Sequence, residues 1–155
     1  MQRLNLPDHG VKLRQDPDGV RIWDPLRRRW LVCTPEEWVR QHVINHLVND
    51  LGCPATLIAQ EHGITLNGLA KRADVVVHGP AGRPVLLVEC KAPGVPVDQR
   101  TFEQAARYNR VFRVPWLLVT NGMEHFCCRL DLDTGSVEFL PAVPPYATMA
   151  GIGAV

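Results

Sequence analysis

Two stretches of the chain carry apolar residues at helical spacing. From residue 34 to about 51, apolar side chains recur on one face, and the stretch opens with Thr-Pro-Glu-Glu, which is typical of a capped helix start. Residues 98–112 repeat the pattern with Phe102, Ala105 and Ala106 on one face. Gly or Pro follows each stretch, so the pattern predicts two helices.

Shorter runs of β-branched and aliphatic residues lie between and after these helices. They predict strands over about 56–61, 73–78, 85–91 and 116–120. A segment dense in Gly and Pro joins the second run to the third, which predicts a hairpin. The resulting core order is helix, three strands, helix and strand.

Turn sequences predict two further hairpins, one near each end of the chain. Asp-Pro-Asp-Gly separates 11–14 from 20–23, and Asp-Thr-Gly separates 126–132 from 137–140. Residues 142–155 are rich in proline and small side chains, and we expect this tail to be peripheral to the core. The pattern therefore predicts one α/β domain.

Composition limits the classes of function. The 155 residues, 46% hydrophobic and 21% charged, are enough for one domain with a sizeable core. A net charge of +1 argues against binding nucleic acid by overall charge, so any such contact must be local. The five cysteines form no Cys-x-x-Cys pair, and no apolar run approaches the ~20 residues of a membrane helix. We expect a cytoplasmic protein without a membrane partner.

Two acids fall at one end of the predicted central hairpin. If His78 pairs with Val85, counting back places Asp74 opposite Glu89, with Cβ atoms ~4.5–5.5 Å apart. Two carboxylates at that distance can hold one divalent cation, and Lys91 projects to the same side as Glu89. A solvated strand end with an ordinary salt bridge is the alternative. The apolar run before Glu89 favours a site.

The first helix offers another acid and a basic residue that needs one. Glu36 and Glu37 flank the apolar face at the N-terminal end, so either could reach a metal, or both could simply favour the positive end of the helix dipole. Arg40 projects into the apolar stripe, which predicts a buried acid partner. Glu61 or one of the site acids could supply it.

The second helix carries polar residues at its border. Gln104 and Tyr108 are four apart and share a face. A set of arginines gives the same segment a basic surface that suits phosphates, although a solvated helix face is the alternative. These arginines are Arg100, Arg107, Arg110 and Arg113.

Asp74, followed after the hairpin by Glu89-Cys90-Lys91, resembles the bipartite motif of the PD-(D/E)XK nuclease superfamily. The surrounding sequence is similar to the N-terminal nuclease domain of type I restriction enzyme R subunits, in particular to short stand-alone relatives. The likeness spans about 24–122 and includes the start of the first helix. Its other matching segments are Lys71-Arg72-Ala73, Val88, Ala92-Pro93, Gln104, Tyr108 and Thr120-Asn121-Gly122.

The resemblance implies a restriction-endonuclease-like fold, in which an αβββαβ core over about 24–141 contains a mixed sheet flanked by helices. It implies a metal-dependent nuclease with Asp74, Glu89 and the helix acid Glu37 as ligands. Mg²⁺ is the expected ion and Mn²⁺ a substitute. Lys91 would orient or help deprotonate the attacking water.

The resemblance also implies supporting residues and partners. Gln104 and Tyr108 would hold the lysine or contact the nucleic acid, and Arg72, Arg40 and Arg107 complete the predicted supporting set. The expected partner is DNA, duplex or single-stranded, together with a second copy of the chain or subunits of a restriction system. Two alternatives remain open: a binding or assembly module without turnover, and hydrolysis of RNA or a small phosphoester. No P-loop sequence is present, so we expect no motor.

Overall fold

The chain begins with a small antiparallel sheet of three strands. The computed structural model describes residues 1–66 and 68–152. Its first strands are β1 (Leu13–Asp16), β2 (Gly19–Asp24) and β3 (Arg29–Val32), in the order β1-β2-β3. The sequence predicted only the hairpin of the first two. The third strand is held partly by the cross-strand pair Trp23 and Trp30, whose ring centroids lie 5.4 Å apart.

The main sheet has six strands in the order β4-β5-β6-β7-β8-β9. Among them β6 and β7 run parallel, with a helix as the crossover, and the other neighbours are antiparallel. The predicted C-terminal hairpin therefore extends the main sheet as β8 and β9. The strand bounds are β4 Ile58–Leu66, β5 Leu69–His78, β6 Pro84–Cys90, β7 Trp116–Thr120, β8 His125–Leu130 and β9 Val137–Leu140.

Both predicted helices form where the sequence placed them. Helix α1 spans Pro35–Asn49, and the Thr34 hydroxyl caps it by accepting a hydrogen bond from the Glu37 N–H at 3.1 Å. Helix α2 spans Gln99–Phe112, and the Asp98 carboxylate caps it in the same way. A third helix, α3, covers Tyr146–Ala150. Within residues 1–66 and 68–152, no helix is both long enough and apolar enough to cross a membrane.

The main sheet is buried on both faces. Helix α1 packs its apolar residues against one face, where Val75 and Val88 lie, and α2 packs against the other, where Val76 and Leu87 lie. This explains why β6 reads as a continuous apolar run, which is typical of a strand covered on two sides. The predicted α/β fold, a mixed sheet flanked by helices, is confirmed.

The expectation that the tail is peripheral is wrong for residues 142–152, and residues 153–155 lie outside the described part of the chain. Tyr146 and Met149 of α3 are each only 5% exposed and belong to the core on the α1 side of the sheet. The Tyr146 hydroxyl donates to the His78 carbonyl at 3.0 Å, and its N–H donates to the Leu51 carbonyl. The surrounding small residues and prolines concealed two large side chains three positions apart, which is a helical spacing.

We expect Met149→Ala to lower the free energy of unfolding by about 2 kcal/mol, because it leaves a cavity in the core. Urea unfolding followed by circular dichroism measures the change. Thr148→Ala is the matched control, since Thr148 is exposed on the same helix and its replacement should cost far less. Equal stability of the two variants would contradict the assignment of α3 to the core.

Candidate metal and nucleic-acid site

The ladder between β5 and β6 ends next to the two predicted acids. Val75 pairs with Val88, and Asp74 and Glu89 are the next residues beyond that pair on their strands. The Asp74 carboxylate accepts a hydrogen bond from the N–H of Cys90, the residue after Glu89. The two acids are therefore neighbouring residues at the point where the apolar part of β6 ends.

At the other end of this hairpin, the observed residue pairs differ from the predicted ones. The register shifts between Val77 and His78, so that His78 pairs with Pro84 and not with Val85. A proline at the first position of a strand cannot donate to the ladder, and the irregularity accommodates it. The predicted starting pair is wrong, whereas the regular ladder beyond the shift has the predicted register.

The Asp74 carboxylate is fixed by the neighbouring strand. Its Oδ2 accepts a hydrogen bond from the Cys90 N–H at 2.7 Å, and the side chain is half-buried. Its Oδ1 makes no hydrogen bond to any described residue. Burial, reinforced by the Asp74 charge, raises the pKa of the Cys90 thiol well above its usual value. Cys90 is therefore a neutral neighbour of the acids and not a thiolate.

Glu89 contacts a lysine that sequence reasoning did not assign. The Lys71 Nζ lies 2.6 Å from Glu89 Oε1, and the two side chains are 13% and 15% exposed. Glu89 Oε1 accepts no hydrogen bond from the described residues, so this contact is an ion pair. The same Nζ lies 4.2 Å from the centroid of the Tyr108 ring. Tyr108 thus contacts Lys71, three positions before Asp74.

Lys91 lies at the end of β6, two residues after Glu89. Its N–H donates to the Thr120 carbonyl at 2.8 Å, which ties this segment to the end of β7. The side chain is half-buried, and its ammonium forms no salt bridge with residues 1–66 or 68–152. A lysine without an acid partner can interact with a phosphate or a water.

Glu37 is held by two arginines. Its Oε2 lies 2.5 Å from the Arg40 Nε, and its Oε1 lies 3.5 Å from an Arg27 nitrogen. Glu37 is only 4% exposed, whereas Glu36 is exposed. The expected buried acid partner of Arg40 is therefore Glu37, and Glu61 adds a second contact at 3.4 Å.

Glu61 reaches these arginines from an irregular position in β4. Its φ of 48° lies in the left-handed region, which is uncommon for a residue with a side chain. The Glu61 carboxylate lies 3.1 Å from Arg27 and 3.6 Å from Arg72, whose side chain is 71% exposed. The three arginines that surround this carboxylate lower its pKa.

Asp24 anchors the network from the N-terminal sheet. It is fully buried, its Oδ2 lies 2.6 Å from the Arg27 Nε, and the Gln60 amide donates to both carboxylate oxygens. Burial alone would raise the pKa of Asp24, but hydrogen bonds from Arg27 and Gln60 outweigh burial and hold the pKa below its usual value. Sequence spacing does not predict the contact between Asp24, in β2, and Gln60, in β4.

We expect Asp24→Asn to lower the free energy of unfolding by about 2 kcal/mol at pH 7, because Arg27 loses a charged partner. The folded-state pKa of Asp24 is lowered, so its contribution is present above the unfolded pKa, about 3.9, and is lost as the pH falls through the folded value. Urea unfolding at several pH values should therefore show the two proteins converging below about pH 4. A difference that stays constant down to pH 2.5 would contradict this prediction.

The donor set fits magnesium as a two-carboxylate site. Across residues 1–66 and 68–152, no group of three or more His, Cys, Asp or Glu side chains is placed to hold a metal ion. The described residues therefore do not join Glu37 to Asp74 and Glu89 in a site of three acids. Mg²⁺ is commonly bound by one or two carboxylates, several waters and substrate phosphates. Two neighbouring acids suffice for that arrangement.

A groove of about 540 Å³ runs between α2 and Leu69 at the start of β5. Gln104 and Arg107 are exposed along it, and Tyr108 at its inner side also contacts Lys71. Two arginines and one glutamate make its lining basic. This is a local positive charge in a chain whose net charge is close to zero. The lining residues are Leu69, Arg100, Glu103, Gln104, Arg107, Tyr108 and Val111.

Comparisons with known proteins agree with the sequence resemblance. Residues 35–144 match the family described as the N terminus of the type I restriction enzyme R protein. Among solved structures, the chain resembles a fragment of a protein described as an HsdR subunit of a type I restriction enzyme from Vibrio vulnificus YJ016, with 23% sequence identity and a TM-score of 0.54. That match covers 77% of this chain and 26% of the other, so it spans about a quarter of the length of that fragment. No curated protein matches the chain.

Proposed function

Because the chain belongs to the family of type I restriction enzyme R protein N termini, we propose that it is a metal-dependent nuclease that hydrolyses phosphodiester bonds in DNA. One observation carries the proposal. Asp74, in the middle of β5, and Glu89, near the end of β6, lie next to the last pair of the ladder between these strands, and Lys91 directly follows β6. The family membership gives the arrangement its chemical interpretation.

Each of the three residues has a proposed role. Asp74 and Glu89 bind Mg²⁺, for which Mn²⁺ can substitute. The bound ion supplies Lewis-acid stabilisation of the charge that develops on the phosphate. The Lys91 ammonium orients the attacking water and offsets negative charge at the reacting phosphorus. The Cys90 N–H keeps the Asp74 carboxylate in place by donating to Oδ2.

The groove beside α2 is the proposed path of the DNA backbone. Arg107 and Gln104 are exposed along it, and Arg72 is exposed on β5, two residues before Asp74. Arginine side chains bind phosphates through charge and several donors without reading sequence. The proposal therefore predicts binding that weakens with salt and has little sequence preference.

The proposed partners and compartment follow from the family. A relative from a restriction system suggests that this chain acts with partner subunits or with a second copy of itself. We place it in the cytoplasm, a reducing compartment, which the five free cysteines support.

A binding or assembly module without turnover is the second candidate, and one observation favours it. Glu89 is already paired with Lys71, and Glu37 is held by Arg27 and Arg40. A site whose acids are neutralised by the protein's own cations can be structural. The two candidates differ in whether phosphodiester bonds are broken.

The test is to incubate the protein with supercoiled plasmid, single-stranded DNA, RNA and a small phosphodiester, each with Mg²⁺, Mn²⁺ or EDTA. We expect DNA nicking that needs the metal and stops in EDTA. Binding to DNA without cleavage in any metal would support the module instead. Cleavage that EDTA does not affect would exclude the proposed mechanism, and preference for RNA or the small ester would change the substrate class.

A further inference from the structure

Lys71 lies against the carboxylate oxygen that the proposed metal site requires. Its Nζ is 2.6 Å from Glu89 Oε1, and both side chains are more than four-fifths buried. Solvent and salt screen such a pair less than a pair on the surface. The Lys71 charge therefore repels any other cation that approaches Glu89 more strongly than an exposed lysine would.

Tyr108 completes a small cation-binding position. The Lys71 Nζ lies 4.2 Å from the ring centroid, within the range of a cation–π contact. The ammonium is thus attracted by the Glu89 carboxylate on one side and by an aromatic face on the other. Helix α2 supplies the ring, and strands β5 and β6 supply the lysine and the acid.

A divalent ion on the same carboxylate would meet this ammonium. Mg²⁺ binds carboxylate oxygens at about 2.0–2.1 Å, so both positive charges would lie within about 3 Å of one oxygen and would repel each other. On the basis of the proposed function, we infer that Lys71 competes with the divalent cation for Glu89. It lowers the affinity of the site for metal, and its ammonium moves away from Glu89 when the metal binds.

Mn²⁺ binding tests this inference without any activity assay. The full chain is titrated with MnCl₂, and free Mn²⁺ is measured by electron paramagnetic resonance for the wild type and for Lys71→Met. Methionine keeps an unbranched chain against Tyr108 but removes the charge. We expect Lys71→Met to bind Mn²⁺ with a dissociation constant roughly tenfold lower than that of the wild type, because one partly screened repulsive charge is removed. Lys12→Met, at an exposed lysine, controls for net charge and should match the wild type.

Two further variants make the result specific. Lys71→Arg keeps the positive charge and should bind Mn²⁺ with an affinity close to that of the wild type. Tyr108→Leu removes the aromatic face, so it should tighten Mn²⁺ binding by less than Lys71→Met does. If thermal unfolding shows that Lys71→Met does not fold, the Tyr108→Leu titration decides the question, and unchanged or weaker binding overturns the inference.

The Glu89→Gln variant separates this inference from the proposed function. If Glu89→Gln loses Mn²⁺ binding while Lys71→Met binds no more tightly than Lys12→Met, the metal site stands and the competition by Lys71 is excluded. If Mn²⁺ binding is absent from every variant, or is unaffected by Glu89→Gln, both proposals are wrong. Binding detected only in Lys71→Met would be the strongest form of the expected result.

Discussion

Asp74→Asn is expected to lower the rate of Mg²⁺-dependent DNA cleavage by at least about a hundredfold, because charge stabilisation at the phosphate depends on a correctly held ion. The asparagine carbonyl oxygen can still accept the hydrogen bond from the Cys90 N–H, which Asp74 accepts at 2.7 Å. The substitution therefore removes the charge and keeps the local structure. Initial rates of plasmid nicking over a range of Mg²⁺ concentrations measure the effect.

Asp133→Asn is the matched control for that experiment. Asp133 is exposed in the turn between β8 and β9, so its replacement makes the same change in net charge away from the site. We expect this control to cleave DNA at the wild-type rate. Cleavage by Asp74→Asn at the wild-type rate, with the same dependence on Mg²⁺, would remove Asp74 from the mechanism.

Lys91→Met is expected to slow cleavage by about 10²–10³-fold, the usual cost of removing one group that stabilises charge in the transition state. Lys91 forms no salt bridge within the described ranges, so its loss leaves no buried acid without a partner. Mn²⁺ binding should persist, because Lys91 is not a proposed ligand. Single-turnover cleavage rates, measured together with Mn²⁺ binding by electron paramagnetic resonance, separate the chemical step from metal binding.

Lys12→Met again serves as the control for the loss of one positive charge, and it should keep both activity and Mn²⁺ binding. The role assigned to Lys91 is wrong if Lys91→Met cleaves as fast as this control. A loss of Mn²⁺ binding in Lys91→Met would show instead that the lysine supports the site structure and does not act on the water.

The sequence predicted the register of the central hairpin because a regular ladder follows local rules. The alternation of side chains and a constant register relate Val75 to Val88 by counting alone. The count held through Val75 and Val88 although the hairpin turn shifts the partner of His78 to Pro84. Such a shift depends on how a turn closes, which composition does not specify.

The helices were also predictable, since caps and apolar spacing are local signals. Thr34 caps α1, and the acid that Arg40 requires is Glu37, three positions earlier on the same helix. The prediction for the C-terminal tail was wrong because the burial of this segment depends on distant residues. Tyr146 and Met149 are buried by β-sheet residues distant in sequence, and no local pattern marks that surface as their partner.

The contacts that surround the site could not be read from the sequence. Arg27 joins Asp24, Glu37 and Glu61 because a turn of the small sheet, helix α1 and strand β4 meet in space. Lys71 was visible only as part of a family-like segment, and its contact with Glu89 depends on how far a long side chain folds over a neighbouring strand. Charge pairs between elements that are distant in sequence depend on the tertiary structure.

We propose that Asp74 and Glu89 together bind a catalytic divalent ion. A crystal structure tests this directly, with crystals grown in MnCl₂ and diffraction measured at the manganese absorption edge. We expect an anomalous difference peak between the two carboxylates, with the Lys71 ammonium moved away from Glu89. A peak elsewhere on the chain, with no density between these acids, would contradict it.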